Sequence, residues 1–216
     1  GGLSYLYNKL KKDFPIYAGA SKPLLQKLIT AENVHGKNGL DGVELHEPIC
    51  PLQPVHAIPF LIETLRKAEE ASITICPIGP LTNIALALSL APDITKGIKQ
   101  IVLMGGNYFE AGNITPAAEF NFYVDPHAAQ IVLQSGAPIT ILPLDVTHKA
   151  QITTPRMNLL RSLNNANGNR LADILQSYER FDTQKFGLEG GPLHDPCAMA
   201  YTVIPEVLSD KVWSVE

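Results

Sequence analysis

Three short stretches of this 216-residue sequence gather side chains that could do chemistry together. In Gly112-Asn113-Ile114-Thr115-Pro116-Ala117-Ala118-Glu119-Phe120-Asn121, a carboxylate and two carboxamides share one loop. Glu119 and Asn121, two apart in an extended stretch, point the same way. An acceptor carboxylate beside amides that both donate and accept suits a polyhydroxylated ligand such as a sugar. Asn and Glu are also ordinary capping and turn residues, so spacing alone leaves both readings open. The second stretch is Gly190-Gly191-Pro192-Leu193-His194-Asp195-Pro196, opening a helix through Ala198, Met199 and Tyr201. Asp195 is a good N-cap with Pro196 at the first helical position. It could equally ligate a hard cation, and His194 beside it could act as an acid near neutral pH. The third, Glu32-Asn33-Val34-His35-Gly36-Lys37-Asn38-Gly39, sets His35 among small and polar residues, as a binding residue or as a plain surface histidine. His46 and His56 have no supporting pattern, and His127 falls in a helix's first turn, where the dipole disfavours a cation. These three and His148 read as structural, with His148 placed to support a neighbouring site.

These loops need a frame. Residues 3–12 carry apolar side chains at helical spacing, and Pro15 ends that helix. Ile16-Tyr17-Ala18-Gly19 reads as a short buried strand, and residues 30–54, without periodicity, as a long ordered loop. A helix follows from about Val55 to Ala71. Then come strand Ile73–Ile78, helix Leu81–Leu90, strand Ile101–Met104, helix Asp125–Ser135 and strand Ile139–Leu142. From about Pro155 to Val212 the pattern is mostly helical. Strands apolar on both faces, joined by helices, predict an α/β fold with an open, mostly parallel sheet flanked by helices. Without repeats or linkers, residues 1–216 read as a single domain. Ligands of such a sheet bind at the carboxyl ends of its strands. That points to Gly79-Pro80, to the stretch from Gly105 to Val124, and to Asp145-Val146-Thr147-His148.

Composition narrows the function classes. Hydrophobic residues at 45% fill a sizeable core, which excludes disorder as a description of the whole. With Lys+Arg 17 against Asp+Glu 21, a net charge of -4 and no basic run, nucleic acid is a poor main partner. Cys50, Cys76 and Cys197 form no CxxC pair, so neither a disulfide framework nor a zinc site is expected. Reduced, buried thiols suit a cytoplasmic setting, and no apolar run is long enough to address a membrane. Gly1 at the start and the strand-like Val212-Trp213-Ser214-Val215 at the end give the expectation of a chain incomplete at both ends.

Five motifs occur in one order: Gly79-Pro80-Leu81-Thr82-Asn83-Ile84-Ala85, Met104-Gly105-Gly106, Ala118-Glu119-Phe120-Asn121 with Asp125-Pro126, Leu144-Asp145-Val146-Thr147-His148, and His194-Asp195-Pro196. Together, over nearly the whole chain, they resemble the inosine–uridine-preferring nucleoside hydrolase family. The resemblance implies an N-ribohydrolase in which water cleaves the bond between nucleobase and ribose while Ca²⁺ holds water and sugar. It implies a nucleoside substrate and a homo-oligomer, a dimer or tetramer. By the same resemblance Asp195 is a calcium ligand that also meets the substrate, and the Ile78 carbonyl is a second ligand. Asn113, Glu119 and Asn121 match ribose-binding positions, and His35 and His194 match residues beside the base. His194 is the candidate acid for the leaving base. Breaking a glycosidic C–N bond puts positive charge on the ribose, which explains why anionic groups would surround it.

The family's Asp-rich turn of the form D-x-D-x-x-x-D-D is absent; the early acids Asp13, Glu32, Asp41, Glu44 and Glu47 are not so grouped. Two readings follow: a stretch of a Ca²⁺-dependent hydrolase, or a non-catalytic nucleoside-binding remnant that has lost the metal site. A flavodoxin-like signalling domain would share the sheet but leave the Asn113–Asn121 loop unexplained. Lys185-Phe186-Gly187 and Gly190-Gly191-Pro192-Leu193 look like the pyrimidine-preferring members, with Tyr178, Phe181, Lys185 and Phe186 where base contacts and lid residues lie. The single tryptophan, Trp213, gives no aromatic sandwich of the kind purine-specific members use. Uridine or cytidine is the expected substrate, inosine the second choice.

Overall fold

The runs Ile73–Ile75, Ile98–Met104 and Ile139–Leu142 are rich in β-branched residues, and each forms a strand (β1, β2 and β3). The computed structural model describes residues 14–32, 36, 51–186, 189–209, 211 and 212, the side chains of 177–186 excepted. The strands pair in the order β1-β2-β3, all parallel, with Ile75 opposite Ile101 and Leu103 opposite Ile141. Ile101, Val102 and Leu103 on the central strand are fully buried, as a sheet covered on both faces requires. The expected open parallel sheet flanked by helices is the fold observed.

The helices, in chain order, are α1 (Ala57–Lys67), α2 (Thr82–Leu90), α3 (Phe120–Val124), α4 (Pro126–Leu133), α5 (Leu144–Thr147), α6 (Thr154–Ser162), α7 (Ala166–Phe186) and α8 (His194–Val203). The chain forms two compact units by its contacts. The larger comprises Ala18–Leu28, Val55–His148 and His194–Glu216 and contains the sheet. Its core joins Ile58 and Leu65 of α1, Ile84 and Leu88 of α2, Ile101 and Leu103 of β2, and Val132 of α4. A buried carboxylate ties this unit together: Asp125 caps α4 through the Ala128 N–H (3.1 Å) and accepts from Thr82 Oγ1 (2.7 Å) and the Leu24 N–H (2.9 Å). The smaller unit comprises Gly1–Tyr17, Ile29–Pro54 and Lys149–Leu193. In it β4 (Gln151–Ile152) pairs antiparallel with β5 (Gly191–Pro192), and α6 and α7 share an Arg161–Asp173 ion pair at 2.9 Å.

Several expected boundaries move for visible reasons. The helix expected from Val55 to Ala71 is α1, Ala57–Lys67: the His56 ring accepts from the Ile58 N–H at its start. Beyond Lys67 the chain turns, with Ala71 at φ 50 and its N–H bonded to Lys96 O. The strand expected over Ile73–Ile78 stops at Ile75, and Pro77, which has no N–H, gives only its carbonyl to Met104 N–H. Ile16–Gly19 is not a strand. Its carbonyls are taken singly, Ile16 O by Gln53 N–H and Ala18 O by Ala57 N–H, so no ladder forms. The helix expected from residue 125 is α4, and a separate one-turn helix, α3, precedes it. The helix expected over 3–12 and most of the loop over 30–54 lie outside the described residues.

Candidate functional site

The site starts where β2 ends. After Met104 the chain turns through Gly105 and Gly106, the latter at φ +74, a conformation that favours glycine. A Cβ on Gly105 would stand 2.6 Å from the Phe122 ring, so only glycine lets α3 approach this closely. The Gly106 N–H donates to Glu119 Oε2 at 3.0 Å, and its carbonyl accepts from the Leu144 N–H at 3.0 Å. The loop is thus stitched across the carboxyl ends of β2 and β3.

Glu119 is the N-cap of α3: Oε1 accepts from the Asn121 N–H at 2.9 Å and Oε2 from the Phe122 N–H at 3.1 Å. This corrects the extended stretch expected for Glu119 and Asn121. The carboxylate satisfies the orphan amides of the first turn and bends the chain into helix there. Asn113 Oδ1 takes the Phe120 N–H at 2.8 Å, and Asn121 Nδ2 reaches back to Met104 O at 3.0 Å. The three side chains are therefore brought together, and both Glu119 oxygens, Asn113 Oδ1 and Asn121 Nδ2 take part in holding the loop. Glu119 is 2% exposed. Burial pushes its carboxyl above the usual range, against the three N–H donors of Asn121, Gly106 and Phe122, which pull it down.

Opposite stands the start of α8. The helix opens at His194, so Asp195 lies inside its first turn rather than capping it. Among the described residues no donor hydrogen-bonds the Asp195 carboxylate. Burial first, and then the charge of Glu119, push it up to about 6. Asp195 is half-buried, and the nearby Glu119 charge adds to its cost of ionisation, so negative charge is concentrated at this end of the sheet. The Asp195 charge also acts on the Cys76 thiol just past β1, a thiol raised chiefly by its own burial. Ile78, two residues further on, has its side chain 45% exposed.

His194 is held by the loop that follows β3. Its Nδ1 lies 2.8 Å from Thr147 Oγ1, and its ring centroid lies 5.9 Å from that of His148. His148 is buried, with Nδ1 3.5 Å from Glu110 Oε2. Asp145, at the start of α5, accepts the N–H groups of Tyr108 (2.8 Å), Phe109 (2.8 Å) and Glu110 (3.2 Å). Burial works to raise this carboxyl, and the three N–H donors outweigh it and hold it below its usual range. Glu110 escapes a reading by residue type, its one signal being its place in the loop after β2, whereas Asp145, Thr147 and His148 stand in the motif loop expected at the carboxyl end of β3, with His148 expected to support a neighbouring site. His35, and the side chains of Tyr178, Phe181, Lys185 and Phe186, lie outside the described residues.

Calcium takes about six to eight oxygen ligands. Among the described residues no group of three or more His, Cys, Asp or Glu side chains is arranged to hold a metal ion. Asp195 and the Ile78 carbonyl would be two donors of such a set, so the described residues do not by themselves fit a calcium site.

Residues 3–216 match the family model for inosine-uridine preferring nucleoside hydrolase. The chain is 48% identical over 206 residues to the uncharacterized protein C1683.06c of Schizosaccharomyces pombe, covering 95% of this chain and 66% of that protein. It is 48% identical over 200 residues to the pyrimidine-specific ribonucleoside hydrolase RihA of Photobacterium profundum, covering 92% of this chain and 64% of that enzyme. The solved structure of a purine-preferring ribonucleoside hydrolase from Gardnerella vaginalis superposes with a TM-score of 0.89 at 33% identity, over 96% of this chain and 67% of that one. The chain thus spans just under two thirds of the length of these curated relatives.

Proposed function

The chain belongs to the inosine-uridine preferring nucleoside hydrolase family, and on that premise we propose that the protein carrying it is an N-ribohydrolase for pyrimidine nucleosides. The observation that carries this reading is the buried Glu119 acting on the half-buried Asp195, next to the held ring of His194, at the carboxyl end of the sheet. In the reaction a water oxygen bonds to C1′ of the ribose, and the C1′–N bond breaks with its electron pair leaving on the base. His194 gives the departing nitrogen a proton, and the water's proton is lost to solvent. The sum is nucleoside plus water giving base plus ribose. As the bond stretches, positive charge grows on the sugar, and the two carboxylates stabilise that state more than the neutral ground state. Asn113, Asn121 and Glu119 hold the ribose hydroxyls, with their loop already fixed by the bonds to Phe120, Met104 and Gly106, so little ordering is left for binding to supply. His35 is assigned to the base side.

Uridine and cytidine are preferred over inosine in this reading. It is supported by the likeness to a relative named pyrimidine-specific and by the single tryptophan of the sequence. Calcium is proposed for the whole protein, with Asp195 and the Ile78 carbonyl among its ligands and the remaining oxygens supplied from outside the described residues. A homo-oligomer, dimer or tetramer, in the cytoplasm completes the proposal. Among the described residues no helix is long and apolar enough to cross a membrane.

The test is ribose release from uridine, cytidine and inosine by the full-length protein, with calcium and after chelation, alongside calorimetric nucleoside binding. Ribose release lost on chelation supports the hydrolase. Binding without release would favour the non-catalytic nucleoside-binding reading. Neither binding nor release would refute both.

A further inference from the structure

We propose that Thr147 is a positioning residue for His194: its hydroxyl holds Nδ1 and so aims Nε2 at the leaving base. The inference rests on the reading of His194 as the acid. Thr147 closes α5 and is 0% exposed. Its backbone is fixed by its N–H bond to Pro143 O (3.1 Å), and the same turn is bound to the β2 loop through Leu144 N–H and Gly106 O (3.0 Å). A β-branched side chain on a fixed backbone has little rotamer freedom, so Oγ1 is a fixed point. It lies 2.8 Å from Nδ1 of His194. A half-turn of the imidazole about its last side-chain bond would put a carbon against that oxygen and lose the bond. The His148 ring, tilted 59° to His194 at 5.9 Å, stands beside it.

A hydroxyl suits this role for a reason that a carboxylate or an amide does not share. It carries one proton and two lone pairs, so it donates to Nδ1 of a neutral ring and accepts from Nδ1–H of a charged one. The hydroxyl proton rotates, and no heavy atom need move. When the C1′–N bond breaks and its electron pair goes to the base, the Nε2 proton passes to the departing nitrogen and the ring is left neutral, to be reprotonated from solvent. Thr147 keeps its bond to Nδ1 throughout.

The experiment uses the full-length protein and compares T147V, which keeps the shape and removes the hydroxyl, with T147S, which keeps the hydroxyl. H194A runs in parallel, and each is assayed on uridine and on 4-nitrophenyl riboside, whose leaving group needs no proton. The expected result for T147V is a roughly tenfold fall in kcat on uridine, with KM and the aryl riboside rate changed by less than about threefold. T147S should regain most of the loss, and H194A should show the same split more strongly. Equal losses on both substrates, or full uridine turnover in T147V, would overturn the proposal while leaving His194 in place. No split in H194A would overturn the acid reading and this inference with it. Should T147V not fold, T147A set against T147S asks the same question with the same outcomes.

Discussion

Glu119→Gln separates the structural work of this carboxylate from its electrostatic work. In the folded chain Oε2 takes two N–H donors, from Gly106 and Phe122, and Oε1 takes one, from Asn121. A glutamine keeps the two-donor position by placing its amide oxygen there, so its amide nitrogen faces the Asn121 N–H. That loses one hydrogen bond, about 1 kcal/mol. The loss is offset in part, because the carboxyl is buried and already above its usual pKa range, and a neutral amide costs less to bury. The folding free energy should therefore change by no more than about 1 kcal/mol. Turnover should respond differently. A unit charge about 5 Å from a developing cation, at an effective dielectric of about 20, is worth about 3 kcal/mol. That corresponds to a fall of about a hundred- to three-hundredfold in kcat, with KM for uridine rising only a few-fold. The assays are initial-rate kinetics of ribose release and urea unfolding followed by circular dichroism. A kcat within about threefold of the parent, or a loss confined to KM, would refute the electrostatic role. Glu119→Ala is the control: it strands three backbone N–H groups and should cost about 3 kcal/mol of stability.

Asp195→Ala should lower kcat by at least about a hundredfold and abolish calcium binding in calorimetry; full turnover would remove Asp195 from the site. Asp125→Ala should destabilise the fold by about 3 kcal/mol in urea titrations, since it removes the α4 cap and leaves Thr82 and Leu24 without their acceptor; a change under about 1 kcal/mol would contradict this. Asp145 is held below its ordinary value of 3.8, so the stability it contributes is present above that pH and is lost as pH falls through the lower, folded value. The gap in urea midpoint between the parent and Asp145→Ala should therefore be widest near neutral pH and narrow as pH falls below about 4; a gap independent of pH would show that the carboxylate charge does not hold Tyr108, Phe109 and Glu110.

Runs such as Ile139–Leu142 made the parallel sheet legible, because a strand covered on both faces has to be apolar throughout. Asp125-Pro126 announced the start of α4, because a capping carboxylate followed by proline is a local device that needs no distant partner. The same local rule misled at Asp195-Pro196, where the helix begins one residue earlier and leaves the acid inside it. At Glu119 capping is one of two readings that spacing leaves open, and the structure shows the cap, with helix from Phe120 in place of the expected extended stretch. Both cases turn on competition between a side chain's local partners, which composition and spacing do not resolve. The candidate polar residues Asn113, Glu119, Asn121, His194 and Asp195 are singled out by type and motif order, and the family is legible in the order of five motifs. What only the tertiary structure decided is which groups face them. Thr147 and His194 are 47 positions apart, and their contact exists because α5 and the start of α8 meet. Glu119 raises Asp195 across a greater separation in sequence because packing brings the two, one buried and one half-buried, to one end of one sheet. Periodicity and capping are properties of neighbouring residues and can be read along a chain; a field between two carboxylates is a property of distance and burial, and these are set by packing.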